Sequence, residues 1–232
     1  MEPHTLLVPA KGDVERDRVA EAWEAAKGPV LRLDRFWDRP DVDPATARVY
    51  GNDTFCLVVA QILELDLVSP PDDFLIGLDK RWLGRKVELV ALEDAASESY
   101  PKFAKPLVPK QFTAGVFASK GALVSETEGL DASTLMQVSD VVEIEAEARC
   151  FVIGKRAITA AFYEGEGDAD AVREFVEDLA GEAELPETAV LDVGVVDGEL
   201  VVVEANATWG AGLNGCDPEM VVDCLDAAVR SA

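Results

Sequence analysis

The stretch LDVGVVDGELVVVEANATWGAG, Leu191 to Gly212, decides how this chain is read. The runs AVLDVGVV and ELVVVEANA meet at Asp197 and Gly198, a pair that closes β-hairpins, so the stretch predicts two antiparallel strands. Asp192 and Glu204 interrupt these otherwise apolar strands. A two-residue turn of type I′ would pair Asp192 with Val203 and set Asp192 and Glu204 on opposite faces. A three-residue loop, Val196 to Gly198 with Gly198 left-handed, pairs Asp192 with Val202 instead. Asp192, Glu204 and Asn206 then share one face, and Leu191, Val193, Val195, Val201, Val203 and Ala205 make the other wholly apolar. The second register is expected, because side-chain alternation should separate core from polar face. Two carboxylates and an amide oxygen are hard donors that fit Mg²⁺ or Mn²⁺ shared with phosphates. A polar face turned to water has the same pattern, and spacing alone does not choose between them.

Working outward, strand and helix patterns alternate. Thr5–Val8, a helix over Asp13–Lys27 and Val30–Leu33 read as a βαβ opening. Arg48–Tyr50 reads as a strand and Asp53–Leu65 as an apolar helix. Ser69, Pro70, Pro71 and Asp72 then break the chain, so a first α/β lobe should end between there and about Tyr100. Strands are expected at Lys102–Leu107, Thr113–Phe117, Gly121–Val124 and Leu135–Val138, with a further piece at Val141–Glu145. Glu147–Ile153 and Arg156–Glu164 flank Gly154 and Lys155 as a hairpin. Val172, Phe175, Val176 and Leu179 share one face of a helix over Asp170–Ala180. Asp217 caps, and Pro218 begins, a closing helix to about Val229.

Composition bounds the function. The 232 residues carry 21 Lys plus Arg against 45 Asp plus Glu, a net charge of −24, and 49% are apolar. Such an apolar fraction supports a sizeable core, which excludes wholesale disorder. Phosphate backbones demand a basic face and the cations do not cluster into one, so nucleic acid is not an expected partner. No apolar run approaches the roughly 20 residues of a membrane helix. Met1 to Lys11 lacks the form of a secretory leader, so no membrane partner and a cytoplasmic location are expected. Cys56, Cys150, Cys216 and Cys224 form no CxxC pair and read as buried thiols. Trp23, Trp37 and Trp82 read as packing residues. His4 is the sole histidine, which removes most His-based catalysis.

The quoted hairpin resembles the closing metal-binding hairpin of the ATP-grasp superfamily, in which an Asp on one strand precedes Glu-x-Asn on the next. Other motifs follow in the same order. FAKPL resembles the strand bearing a nucleotide-binding lysine, which implies Lys105 on the ATP phosphates. LMQVSD resembles the adenine hinge, which implies Gln137 and Val138 at the base. EARCFV resembles the Glu-x-Arg strand after it, which implies Glu147 near the ribose and Arg149 near the phosphates or substrate. VYGNDTF, DLVSPPDDFL, LGRKVEL and KPLVPKQFTAGVF are similar to the clade named for two arginines and one lysine. The trio would be Arg85, Lys105 and Arg149, with Lys80 competing with Arg85 for a phosphate. A basic residue often found two positions before the metal Asp is Val190 here.

The resemblance implies an ATP-grasp fold, α/β and α+β: an α/β N-terminal lobe over 1–98, a small central lobe over 99–136 and a C-terminal lobe over 137–232. It implies ATP with Mg²⁺ or Mn²⁺ held by Asp192, Glu204 and Asn206, and Arg149 and Lys105 as the catalytic pair. Lys110 and Lys120 would flank a mobile flap. Trp209, Gly210 and Asn214 would line an acceptor site whose backbone N–H groups meet an anion; a turn preceding a helix is the other reading of that loop. The implied reaction is ATP-dependent ligation of a small-molecule or peptide carboxylate to an amine or other nucleophile through an acylphosphate. The alternative is an ATP-binding module without turnover.

Overall fold

Short polar side chains at the starts of the helices fix where the fold changes direction. Asp13, Asn52, Asp168 and Asp217 each accept a backbone N–H from the helical turn that follows them, satisfying donors a helix leaves unpaired. In the computed structural model, residues 3–97 and 99–231 are described. The chain runs β1 (Thr5–Pro9), α1 (Val14–Ala26), β2 (Val30–Leu33), β3 (Ala47–Val49), α2 (Asp53–Leu63) and β4 (Leu65–Leu67). It continues through α3 (Lys80–Leu83), β5 (Val87–Ala91), β6 (Lys102–Pro106), β7 (Gly115–Phe117), α4 (Lys120–Glu126) and β8 (Leu135–Ser139). It ends with β9 (Ala146–Ile153), β10 (Arg156–Glu164), α5 (Ala169–Glu182), β11 (Thr188–Val196), β12 (Glu199–Asn206), α6 (Pro218–Asp226) and β13 (Val229–Ser231).

Two compact units form. One comprises the chain up to Pro70, Ala146–Val193 and the chain from Val203; the other comprises Pro71–Glu145 and Gly194–Val202. In the first, β2, β1 and β3 make a parallel sheet with β1 at the centre. β1 is buried on both faces, as a central parallel strand must be. Leu6 and Val8 pack with Trp23 of α1, Phe151 of β9 and Val221 of α6. Leu7 points the other way, to Phe55 and Leu63 of α2 and to Trp209. A second sheet has the order β10-β9-β11-β12.

The second unit is an antiparallel sheet of order β5-β8-β6-β7. One face, with Ala104, Met136, Val138 and Phe117, packs on Leu123 of α4. By alternation the other face carries Leu89, Phe103, Lys105, Gln137 and Ser139. The expected boundary at residue 98, like Met1 and Glu2 of the stretch read for a leader, lies outside the described residues. None of the described helices is long and apolar enough to cross a membrane.

Several expectations need correction. Gly121–Val124 is not a strand but lies in α4. Ser119 caps that helix, Leu123 is buried and Val124 is 52% exposed, a helical face that a four-residue run cannot reveal. Val141–Glu145 forms no strand. The hairpin turn is not the three-residue loop: β11 ends at Val196, β12 begins at Glu199, and Asp197 and Gly198 both have positive φ, 51° and 77°. That is a two-residue turn of the type I′ kind, which matches the strand twist. An unbroken ladder from it would set Asp192 and Asn206 on opposite faces, yet their side chains are hydrogen-bonded. The alternation is therefore broken between the turn and these two residues. Trp37, expected to pack, is 61% exposed.

Candidate active site

Asp192 is the centre of the cluster in the first unit. It lies on β11 next to β9, and its side chain is 6% exposed, so its charge needs close compensation. Arg149 of β9 supplies it in fork geometry: Nε donates to Oδ1 at 2.8 Å and Nη2 to Oδ2 at 2.8 Å. Asn206 Nδ2 donates to Oδ2 at 3.1 Å. Burial disfavours the charge on Arg149, but Asp192's hydrogen bonds and Coulomb attraction outweigh it and hold the guanidinium's pKa above its ordinary value. Tyr163 of β10 stacks its ring 5.9 Å from the Arg149 guanidinium carbon and donates its hydroxyl to Glu147 Oε2 at 2.8 Å. Burial first and then the Glu147 hydrogen bond push the Tyr163 pKa up.

Glu204 is half-buried on β12, two residues before Asn206. Because Asn206 uses its nitrogen on Asp192, its amide oxygen is turned from that carboxylate. Among the described residues no three His, Cys, Asp or Glu side chains gather as a metal site. A cation here would be held by two carboxylates and one amide oxygen, a donor set that fits Mg²⁺ or Mn²⁺.

The loop after β12 is tied at several points. Gly51 N–H donates to the Trp209 carbonyl at 3.1 Å, and Tyr50 Oη to the Ala211 carbonyl at 3.0 Å. Arg149 Nη1 donates to the Gly212 carbonyl at 2.9 Å. The backbone N–H groups of Leu213 and Asn214 converge on one carboxylate, Glu15 of α1, at 2.9 and 3.0 Å. The loop does meet an anion, then, and it is the chain's own. Trp209, expected at the substrate, is 7% exposed with its indole N–H on Ser69 Oγ at 3.2 Å, so its ring belongs to the core. Gly210 is half-buried; a Cβ there would stand 3.5 Å from Asp53 Oδ1. Cys216 donates its thiol to the Arg149 carbonyl, and burial pushes its pKa up to about 12. All four cysteines are buried and unbridged. Glu15, Tyr50 and Tyr163 were not anticipated: in sequence Glu15 reads as an ordinary acidic residue in a first helical turn.

The second unit gathers another set. Lys105 of β6 lies directly opposite Gln137 of β8. Gln137 is 2% exposed, and its Oε1 has no hydrogen-bond partner. An unsatisfied buried acceptor is costly, so this oxygen marks a place where a donor belongs. Val138 is turned to the core face. Arg85 Nη1 donates to the Leu83 and Val202 carbonyls, both at 3.0 Å, and burial lowers its pKa. Lys80, Lys110 and Lys120 are exposed.

Comparison with known proteins bears on the fold and the family. No curated protein sequence matches this chain. Among solved structures it is similar to a RimK domain protein ATP-grasp from Sphaerobacter thermophilus: 15% identity, 97% of this chain and 96% of that one, TM-score 0.56. It is similar to N5-carboxyaminoimidazole synthase from Aspergillus clavatus in complex with ADP and 5-aminoimidazole ribonucleotide, at 10% identity over 97% and 77% of the chains, TM-score 0.63. It is also similar to D-alanine–D-alanine ligase from Bacillus anthracis complexed with ATP, at 13% identity over 97% and 95%, TM-score 0.53. At these identities the likeness is one of fold. The sequence model of the ATP-grasp domain, family 2 of the clade named for two arginines and one lysine, matches residues 82–224. With more than half its length matched and the fold in agreement, the chain belongs to that clade of the ATP-grasp superfamily.

Proposed function

We propose that this protein is an ATP-dependent ligase that joins a carboxylate to an amine or other nucleophile through an acylphosphate. The observation that carries the reading is the Arg149–Asp192–Asn206 cluster, where a buried carboxylate meets a part-buried guanidinium and amide, with Glu204 two residues before Asn206 and the Gly212 carbonyl on Arg149. Phosphoryl transfer needs positioning and electrostatic stabilisation more than covalent help from the protein. In a chain of charge −24, an anionic nucleotide must be caught by local cations and a metal.

In this reading Asp192, Glu204 and Asn206 hold Mg²⁺ or Mn²⁺. When bound, the ion neutralises charge on the phosphate oxygens. Lys105, with Arg85 or Lys80, neutralises the phosphates; Gln137 and the backbone at Val138 receive the adenine, whose amino group would satisfy the orphaned Oε1; Glu147 receives the ribose. A carboxylate oxygen attacks the γ-phosphorus, the bond to the β–γ bridging oxygen breaks, and ADP leaves with the electron pair. Arg149 steadies the acylphosphate. The nucleophile's lone pair then attacks the acyl carbon, phosphate leaves, and the amine's proton passes to solvent. Two neighbouring folds, solved with ATP or with ADP, support nucleotide use.

Thermal stability with and without Mg-ATP, followed by ADP release in the presence of carboxylates and amines, tests the reading. A metal-dependent rise in wild type that Glu204→Gln weakens, with carboxylate-dependent ADP release abolished in that variant, is expected. Full turnover by Glu204→Gln would refute it. A second reading, an ATP-binding module without turnover, is favoured by the same fork, since Arg149 covers both Asp192 oxygens. That module would bind Mg-ATP and release no ADP with any acceptor.

A further inference from the structure

Glu15 sits on α1, far in sequence from every motif of the proposed site, yet it touches the backbone that holds Arg149. The contact is specific in its geometry. The Gly212 carbonyl and the Leu213 N–H belong to the same peptide plane, and in a trans peptide they point in opposite directions. The carbonyl accepts from Arg149 Nη1 at 2.9 Å, and the N–H donates to Glu15 Oε2 at 2.9 Å. One peptide group is thus clamped between a guanidinium and a carboxylate. Each end is charge-assisted and polarises the other. A flip of that peptide would turn its carbonyl on Glu15 and its N–H on Arg149, which both partners oppose. The clamp also explains the glycine: a Cβ at Gly212 would lie 2.8 Å from Glu15 Oε2 and 3.9 Å from Arg149 Nη1.

We infer that Glu15 is a positioning residue for Arg149: by fixing the Gly212–Leu213 peptide it keeps one anchor on the guanidinium when Asp192 turns to a cation. This rests on the ligase reading above. Nε and Nη2 of Arg149 are bound to Asp192, and a metal at that carboxylate competes for the same lone pairs. The Gly212 carbonyl and the Tyr163 ring then remain to say where Arg149 stands. Tyr50 holds the loop before Gly212, through the Ala211 carbonyl. Glu15 holds the two peptides after it, and of these two ties it alone carries charge.

The test uses the whole chain with Glu15→Gln, Glu15→Ala and each of these on an Arg149→Ala background. Glu15→Gln keeps the volume and one acceptor, so it reports even if the alanine variant folds poorly. Three readouts are taken: hydrogen exchange at the Leu213 amide, the Arg149 Nε–H resonance in the ligand-free protein, and Mn·ADP affinity by electron paramagnetic resonance. Groups that orient the ligands of a metal site typically contribute 10–100-fold in affinity. About a tenfold loss of Mn·ADP affinity is expected for Glu15→Ala, with Glu15→Gln intermediate, a shifted Arg149 resonance, faster exchange at Leu213, and no further loss on the Arg149→Ala background. An unmoved Arg149 resonance, or an equal loss in both backgrounds, would overturn the inference. If wild type binds no Mn·ADP, the nucleotide reading fails, and the ligand-free resonance and exchange comparison still decides whether Glu15 positions Arg149.

Discussion

Replacing Asp192 by Asn removes a charge and almost no volume, so its cost isolates what the Arg149 fork contributes. In the native chain both partners are nearly enclosed, the side chains 12% and 6% exposed, and the carboxylate accepts three hydrogen bonds. The asparagine can still accept through one oxygen, but its nitrogen faces a guanidinium it cannot serve. Removing one member of a buried ion pair typically costs about 3–5 kcal/mol, because the remaining charge stays buried and uncompensated. At about 2–4 °C per kcal/mol for a protein of this size, the melting temperature should fall by roughly 6–20 °C. Arg149→Met should be costly for the mirrored reason, although Asn206 still serves Asp192. The double variant Arg149→Met, Asp192→Leu removes both charges and should recover most of the loss, since apolar replacement of a whole buried pair is often neutral or stabilising. Urea denaturation of wild type, both singles and the double gives the coupling energy directly. An Asp192→Asn variant within about 0.5 kcal/mol of wild type would refute the argument, as would a double variant no better than the two singles added.

Gln137→Met should leave ligand-free stability unchanged or raise it by about 1 kcal/mol, because a buried acceptor with no partner is removed; ATP affinity should fall, and calorimetry reads both. Gly84→Ala should destabilise by about 1–2 kcal/mol from left-handed backbone alone. Gly84 has φ 62°, and a Cβ there would stand 2.5 Å from Val201 Cγ1, so Val201→Ala should recover only the contact. Asp226 is held below the usual carboxylate range: burial opposes its charge, but hydrogen bonds from His4 and Lys27 and the charge of Arg48 prevail. A depressed folded-state pKa gives stability that is present above the unfolded value of 3.8 and lost as pH falls below it. The difference in unfolding free energy between wild type and Asp226→Asn should therefore shrink between pH 4 and 3; a difference that grows there would contradict the sign.

Local sequence determined a great deal. Asp217 announced the start of the last helix because a cap is written in the residue that makes it. The βαβ opening and the Gly154 hairpin were legible because period and turn chemistry act over a few residues. Asp192, Glu204 and Asn206 stood out because polar groups interrupt apolar strands. What stayed hidden depends on partners distant in the chain. β13 forms only because Val229–Ser231 meets Leu65–Leu67. No local pattern shows that Arg149 would reach across from β9 to Asp192. Nor does one show that Glu15, two residues into the first helix, would clamp a peptide some 200 positions later, at sequence separations of 198 and 199. Residue types alone specify which side chains have the chemistry to serve a phosphate and a cation. Folding selects which of them meet, because hydrogen bonds and buried charges are settled by proximity in space, and proximity is a property of the packed chain.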